Sequence, residues 1–351
     1  MLARYPVAGV GRPAVLACVR TTGDPVPLHT SERIWTETNC YLDLWIEALG
    51  RFGVDPRPVL GPALRAGTDS SQWSFVKPEP TELRRLYGIE VTELNVWRPL
   101  LEHVEETLAA GASLTVEVDS YWLPDTEGVG YRTAHGKTSL LPVAVDRTRG
   151  TLTYLHNSGC HELSGEDFAA VFGSADGSGA DAASLAAAGN LVPLPYVERV
   201  GLPERVTPAD PPVAVDLLRA HAADADPDAV RPLAERVLAD LPWIGEAGPE
   251  GFHLWSFGTL RAAGSTAELC GDVCDWLAAT DPGVTGVDRA GAAEAATSFR
   301  SCAETAKSVQ FRLARAARGR AVDPSGGLDG MAASWERGVD LLTGALGVTS
   351  R

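Results

Sequence analysis

Residues 34–50 read IWTETNCYLDLWIEALG. Thr38 and Asn39 are residue types that satisfy the free backbone N–H groups at a helix start, and Leu42, Trp45, Ile46 and Leu49 follow at i, i+3, i+4 and i+7. The spacing predicts a helix from Cys40 to about Leu49, ended by Gly50 and Gly53. Cys40 falls in its first turn and off the apolar stripe. There the unpaired N–H groups and the helix dipole favour a thiolate, and the side chain is free to face a cleft while the stripe anchors the helix. A cysteine with only a packing role belongs on the stripe instead.

Downstream, SLTVEVDSYWL (113–123) alternates Leu114, Val116 and Val118 as a strand does, and a helix is expected before it, from Thr92 or Glu93 to Ala110. TSLLPVAVD and TLTYLHN, joined by Arg147-Thr148-Arg149-Gly150, read as an antiparallel hairpin. A thiolate enzyme needs a base with a free ring nitrogen, and His135 in YRTAHGKTSLL stands just ahead of the first hairpin strand. The returning strand brings His156 and Asn157 back toward it. A turn near Thr148 sets Asn157 opposite about Ser139, so an offset of roughly four residues, or a bulge, is needed before Asn157 orients the imidazole. With that offset the three side chains form a Cys40-His135-Asn157 triad. His156 and His161 are alternative bases. His103 reads as a packed or solvated helix residue, Asp119 as a strand-end carboxylate that binds a substrate amine or shapes a turn, and Glu37 as a helix-start charge.

The chain has 351 residues, 45% hydrophobic and 22% charged, with a net charge of −16. That composition is globular, and the length favours two structural units. The acidic balance, with no clustered Lys and Arg tracking a groove, argues against nucleic acid as a partner. The proline-rich stretch LPERVTPADPP (202–212) separates two textures, giving an expected catalytic domain over 1–205 and a helical domain over 212–351. In the second, periodicity predicts helices near 213–223, 227–241, 253–280, 289–317 and 329–346, an all-α bundle. Ala14–Val19 reads as a strand, too short for a secretory or membrane segment, and Ser174–Ala188 as an insertion or frayed helix. Six cysteines without a compact spacing fit a reducing cytoplasm. Cys270 and Cys274 read as small buried helix residues rather than half of a metal site, and neither metal nor cofactor is expected.

The segments IWTETNCYLDLWIEAL, QWSFVKP, LYGIEVTELNVWRPL, VEVDSYWLPDT, HGKTSLLPVAVD and YLHNSGCHELSGEDF, with FHLWSFGTLRAAGSTAEL and AKSVQFRLARAARGR in the helical half, resemble the bacterial domain of unknown function 1839 family over nearly the whole chain. More distantly, a cysteine opening a helix, a VEVD-x-Y-x-LP strand and a histidine-led hairpin look like the N-terminal domain of butirosin biosynthesis protein H. That protein in turn resembles papain-like and bacteriocin-processing cysteine peptidases. The resemblance implies an α+β, papain-like domain followed by the helical bundle, with Cys40 as acyl-accepting thiol, His135 as base and Asn157 at a position usually held by Asp. It also implies an oxyanion-binding Gln shortly before the cysteine. This chain has none there and offers Asn39, Thr38 or the more distant Gln72, beside the backbone N–H of Cys40, while Glu37, Asp119 and Trp122 remain candidates for substrate contact. The expected activity is acyl or aminoacyl transfer from a carrier-protein thioester to a small-molecule amine or hydroxyl. A basic patch at Arg312, Arg315, Arg318 and Arg320 would meet the acidic carrier, and a cysteine hydrolase or a catalytically silent binding module are the alternatives.

Overall fold

The computed structural model describes residues 26–172 and 195–349; the expected strand at Ala14–Val19, Cys18 and the Ser174–Ala188 segment lie outside the described residues. After a 3-10 turn at Pro27–His29, helix α1 (Cys40–Arg51) leads to a 3-10 helix at Arg57–Arg65. Short strands β1 (Thr68–Asp69) and β2 (Gln72–Trp73) precede α2 (Pro80–Tyr87). Then come β3 (Glu90–Leu94), α3 (Leu100–Ala109), β4 (Ser113–Asp119), β5 (Lys137–Asp146), β6 (Thr151–His156), β7 (Gly159–Ser164), α4 (Gly165–Phe172) and β8 (Val197–Gly201). From Pro211 the described chain is helical: α5 (Pro211–Ala223), α6 (Val230–Gly258), α7 (Leu260–Ala279), α8 (Pro282–Thr285), α9 (Arg289–Ala316) and α10 (Ser325–Leu346). The chain is α+β. No helix among the described residues is long and apolar enough to cross a membrane.

Two compact units divide these elements. The first comprises the described residues up to His29, Asp43–Val54 and Leu83–Pro208; the second comprises Thr30–Leu42, Asp55–Glu82 and the residues from Ala209 onward. Sequence texture changes at the proline-rich stretch, but packing follows the apolar surfaces. Val59, Leu60, Ala63 and Leu64 of the Arg57–Arg65 helix are all buried, and that helix packs on α5 and α7, which draws a segment of the N-terminal half in among the C-terminal helices.

In the first unit, six antiparallel strands run in the order β3-β8-β4-β5-β6-β7. Leu114, Val116 and Val118 of β4, Leu140 of β5, Leu152 and Tyr154 of β6 and Leu163 of β7 form one core with Leu101 and Val104 of α3 and Phe168 and Phe172 of α4. The helix expected over residues 92–110 is shorter than its periodicity suggests. Residues 90–94 instead form an edge strand, with Glu90 opposite Gly201 and Leu94 opposite Val197, and α3 begins after Pro99, which can precede a first turn but cannot donate to an earlier one. Helix α1 matches its expected start and is buried on more than its stripe. Asp43 is 1% exposed and Glu47 is fully buried. His29 Nδ1 lies 2.9 Å from Glu47 and its Nε2 lies 3.6 Å from Asp43, while Arg51 pairs with Glu47 one turn on, so the buried carboxylates are neutralised locally.

In the second unit, α9 packs on both α7 and α10, and α6 contacts α7, α9 and α10. Trp335 of α10 meets Trp73 and Phe299 edge-on at centroid separations of 5.4 Å each. The helix expected over 253–280 is broken: Thr259 (φ −123°, ψ −100°) separates α6 from α7, and Gly248 at φ 70°, before Pro249, already kinks α6.

Candidate functional site

Strand β4 ends on Asp119, which is opposite Lys137 at the start of β5. The excursion between them closes with Ser120 N donating to Gly136 O at 2.8 Å, and this register returns His135 to the end of the strand it left. The Asp119 carboxylate, 7% exposed, is fully engaged there. Its Oδ1 accepts from Tyr121 N at 3.0 Å and from Gly136 N at 3.1 Å, and its Oδ2 lies 2.6 Å from His135 Nδ1. An ionised carboxylate only accepts, so the proton of this bond sits on Nδ1 and the free lone pair on Nε2. Tyr121 stacks on the imidazole with centroids 4.4 Å apart and planes 12° from parallel. The ring is fixed on one edge and one face, its side chain is 31% exposed, and Nε2 has no hydrogen-bond partner among the described residues. Geometrically this is a base held ready for a proton.

Asn157 does not serve His135. The β5–β6 pairing shifts by one residue at a bulge between Pro142 and Ala144, with Leu141 opposite Leu155, whereas an offset of about four was needed. Asn157 instead turns the chain from β6 into β7, in a left-handed conformation (φ 45°) that asparagine tolerates better than most residues. The orienting residue is Asp119. Its position at the end of VEVD was legible, but its role depended on a pairing register that the sequence did not specify.

His156, weighed as an alternative base, is fully buried with both nitrogens occupied: Nε2 lies 2.6 Å from Thr138 Oγ1 and Nδ1 lies 2.5 Å from Asp125 Oδ2. Tyr154 donates its hydroxyl to the other oxygen of Asp125. Burial on its own would raise the Asp125 pKa, but the hydrogen bond and charge of His156 outweigh it and hold the carboxyl below its usual range. This is a structural knot. His161, at 3.9 Å from Asp125 Oδ2, is only loosely attached to it. His103 is buried, accepts from Trp97 N at 3.4 Å and has its pKa lowered by burial and by Arg98. Trp122 lies with its ring under the Arg132 guanidinium at 4.5 Å, beside Tyr121.

The remaining candidates belong to the second unit. Asn39 caps α1: its Oδ1 accepts from Leu42 N at 3.0 Å, and its Nδ2 donates to Val76 O at 2.8 Å. That double commitment makes it a cap and strut, and it uses one of the two N–H groups of Nδ2. Arg261 holds the preceding turns of chain, donating to Thr38 O at 3.2 Å and Glu37 O at 3.3 Å. Cys40 follows as the half-buried first residue of α1. Thr38, Asn39 and the exposed Gln72 border a common cavity of about 230 Å³, walled by Trp73, Phe75 and Phe257. Cys270, Cys274 and Cys302 are fully buried in α7 and α9, where burial pushes their thiols well up, and burial also raises the half-buried Cys160 of β7. Among the described residues no group of three or more His, Cys, Asp or Glu side chains is placed to hold a metal ion.

A comparison with curated proteins gave no match. Two family profiles match in succession: the DUF1839 N-terminal domain over residues 24–201 and the DUF1839 C-terminal domain over residues 208–344. The two matches cover nearly the whole sequence in the order of a single protein, and the chain belongs to the DUF1839 family.

Proposed function

We propose that this protein is a papain-like acyl- or aminoacyltransferase in which His135, held by Asp119, moves the proton and Cys40 is the thiol. The observation that carries the reading is the 2.6 Å bond from His135 Nδ1 to Asp119, together with an Nε2 left without a partner. A bound and capped carboxylate fixes the tautomer and steadies the imidazolium that forms during turnover. Cys40 adds a half-buried thiol at a helix start.

In the proposed reaction His135 takes the thiol proton, and the Cys40 sulfur attacks the carbonyl of a thioester. The tetrahedral intermediate then expels the donor thiol, which takes the proton back from His135. An amine or hydroxyl acceptor loses its proton to His135 as it attacks the acyl-enzyme, and the Cys40 sulfur leaves and takes that proton from His135, which restores the starting thiol and imidazole. The backbone N–H of Cys40, with Asn39, Thr38 or Gln72, would meet the oxyanion. A carrier-protein thioester as donor and a small amine as acceptor complete the proposal. Five unpaired described cysteines suit a reducing cytoplasm.

Intact-mass measurements on the full chain with an acyl or aminoacyl thioester test it. The expected result is an adduct in wild type, absent in Cys40→Ala and much slower in His135→Gln, that is discharged faster by added amine than by water. An adduct persisting in Cys40→Ala, or one formed at the wild-type rate in His135→Gln, would falsify the assignment. Discharge at equal rates with and without amine would replace transfer by hydrolysis.

A further inference from the structure

The cavity of about 230 Å³ beside the start of α1 is formed wholly by residues of the second unit. Among those that border it, Leu42 of α1, Trp73 of β2, Val76 and Leu269 of α7 are buried, whereas Gln72, Phe75 and Phe257 are exposed. The buried set is the floor and the exposed set the mouth.

Polar side chains at the depth of the floor are engaged within the protein. Trp73 Nε1 donates to Thr266 Oγ1 at 3.1 Å, and the hydroxyls of Thr266 and Ser265 donate to Ala262 O at 2.8 Å and 3.0 Å. These three side chains therefore have no N–H or O–H left to hold a water. Water in such a space has few partners, so an apolar group that displaces it gains affinity. Size narrows the class further. An apolar cavity of about 150 Å³ is enough to take up benzene, so this one admits a phenyl ring on a short linker, while a lone methyl group fills little of it. The rings of Trp73, Phe75 and Phe257 are a lining on which another ring packs edge-on or offset.

Position assigns the role. Thr38 and Asn39 directly precede Cys40 in the chain, and both border the cavity, as does Leu42 two residues after it. The segment that carries the thiol thus runs along the rim. We propose that this cavity receives the acyl group of the donor thioester, and that this group is bulky and apolar, an arylalkyl chain above all, with its carbonyl left at the mouth near Asn39 and Gln72. The assignment rests on the acyl-transfer reading of Cys40, whereas the apolar preference of the cavity is measurable without any reaction.

The experiment therefore has a binding arm and a reaction arm. Isothermal titration of full-length Cys40→Ala, which has no thiol to acylate, with 3-phenylpropanamide should give saturable binding, and acetamide should give none. Ala262 borders the cavity from α7 and is half-buried, so Ala262→Leu fills part of the space without a helix penalty. Added to Cys40→Ala, it should weaken phenylpropanamide by about tenfold or more with the melting temperature little changed. In the reaction arm, intact-mass rates with the full chain bearing Cys40 should favour a 3-phenylpropanoyl thioester over the acetyl thioester of the same thiol by about tenfold or more. Ala262→Leu should erase that preference. No saturable binding of phenylpropanamide, or equal affinity with and without Ala262→Leu, overturns the proposal. Equal acylation rates from the two donors overturn it while leaving acyl transfer standing; apolar binding with no adduct from either donor overturns acyl transfer and, with it, the acyl group as occupant.

Discussion

Asp119 grips His135 with one carboxylate oxygen, 2.6 Å from Nδ1, while its other oxygen caps the turn at Tyr121 and accepts from Gly136 N. A single buried residue therefore shapes the loop that carries the histidine and sets which ring nitrogen is free.

Asp119→Asn separates these roles. The amide still accepts from the turn N–H groups through its oxygen, but its NH₂ faces Nδ1 and favours the opposite tautomer. If His135 is the base, kcat should fall by about 10²- to 10⁴-fold with KM little changed, and the pH–rate profile should change shape. Melting temperature should move much less than the rate. A variant with wild-type kcat and pH profile would reduce Asp119 to a turn-shaping residue.

The buried His29 gives stability a pH dependence. Burial alone would lower its pKa, but the carboxylates of Asp43 and Glu47 on its two nitrogens outweigh that and raise it from 6.5 to about 9. The folded protein thus holds this proton more tightly than the unfolded chain. The contribution is full below about pH 6.5 and is lost as pH rises through about 9, on the order of 3 kcal/mol in all. Denaturant titrations from pH 6 to pH 10 should show that decline in wild type and a flatter profile in His29→Gln; parallel profiles would mean His29 does not carry it.

Asp125 is predicted to be a stability residue. Its oxygens hold His156 and Tyr154 inside the sheet, so Asp125→Ala leaves two buried polar groups without their partner and should cost about 3–5 kcal/mol. Chemical denaturation measures it. A loss below about 1 kcal/mol would show that water or Thr138 replaces the carboxylate.

Gly264 in α7 marks a close approach. A Cβ there would stand 2.7 Å from Trp35 Cζ2 and 2.8 Å from Ala306 Cβ, both fixed by packing. Gly264→Ala should therefore destabilise by about 1–3 kcal/mol despite the better helix propensity of alanine. A rise in melting temperature would show that Trp35 yields.

Local chemistry made much of this protein legible. Asn39 followed by a stripe at Leu42, Trp45, Ile46 and Leu49 placed α1 starting at Cys40, and alternation with a four-residue connection placed the β5–β6 hairpin. These features depend on backbone hydrogen bonds and periodicities that neighbouring residues set by themselves. Where a distant partner decided, the sequence was silent. Residues 90–94 have helical company yet became a strand because β8, a hundred residues on, offered its edge. His135 found Asp119 rather than Asn157 because the register of β4 on β5 returns the loop to its own start, and a bulge shifted the β5–β6 pairing by only one residue. The Arg57–Arg65 helix joined the C-terminal helices because α5 and α7 cover its apolar side chains. Register and burial are settled by contacts between segments far apart in sequence, whose free energy no local window contains.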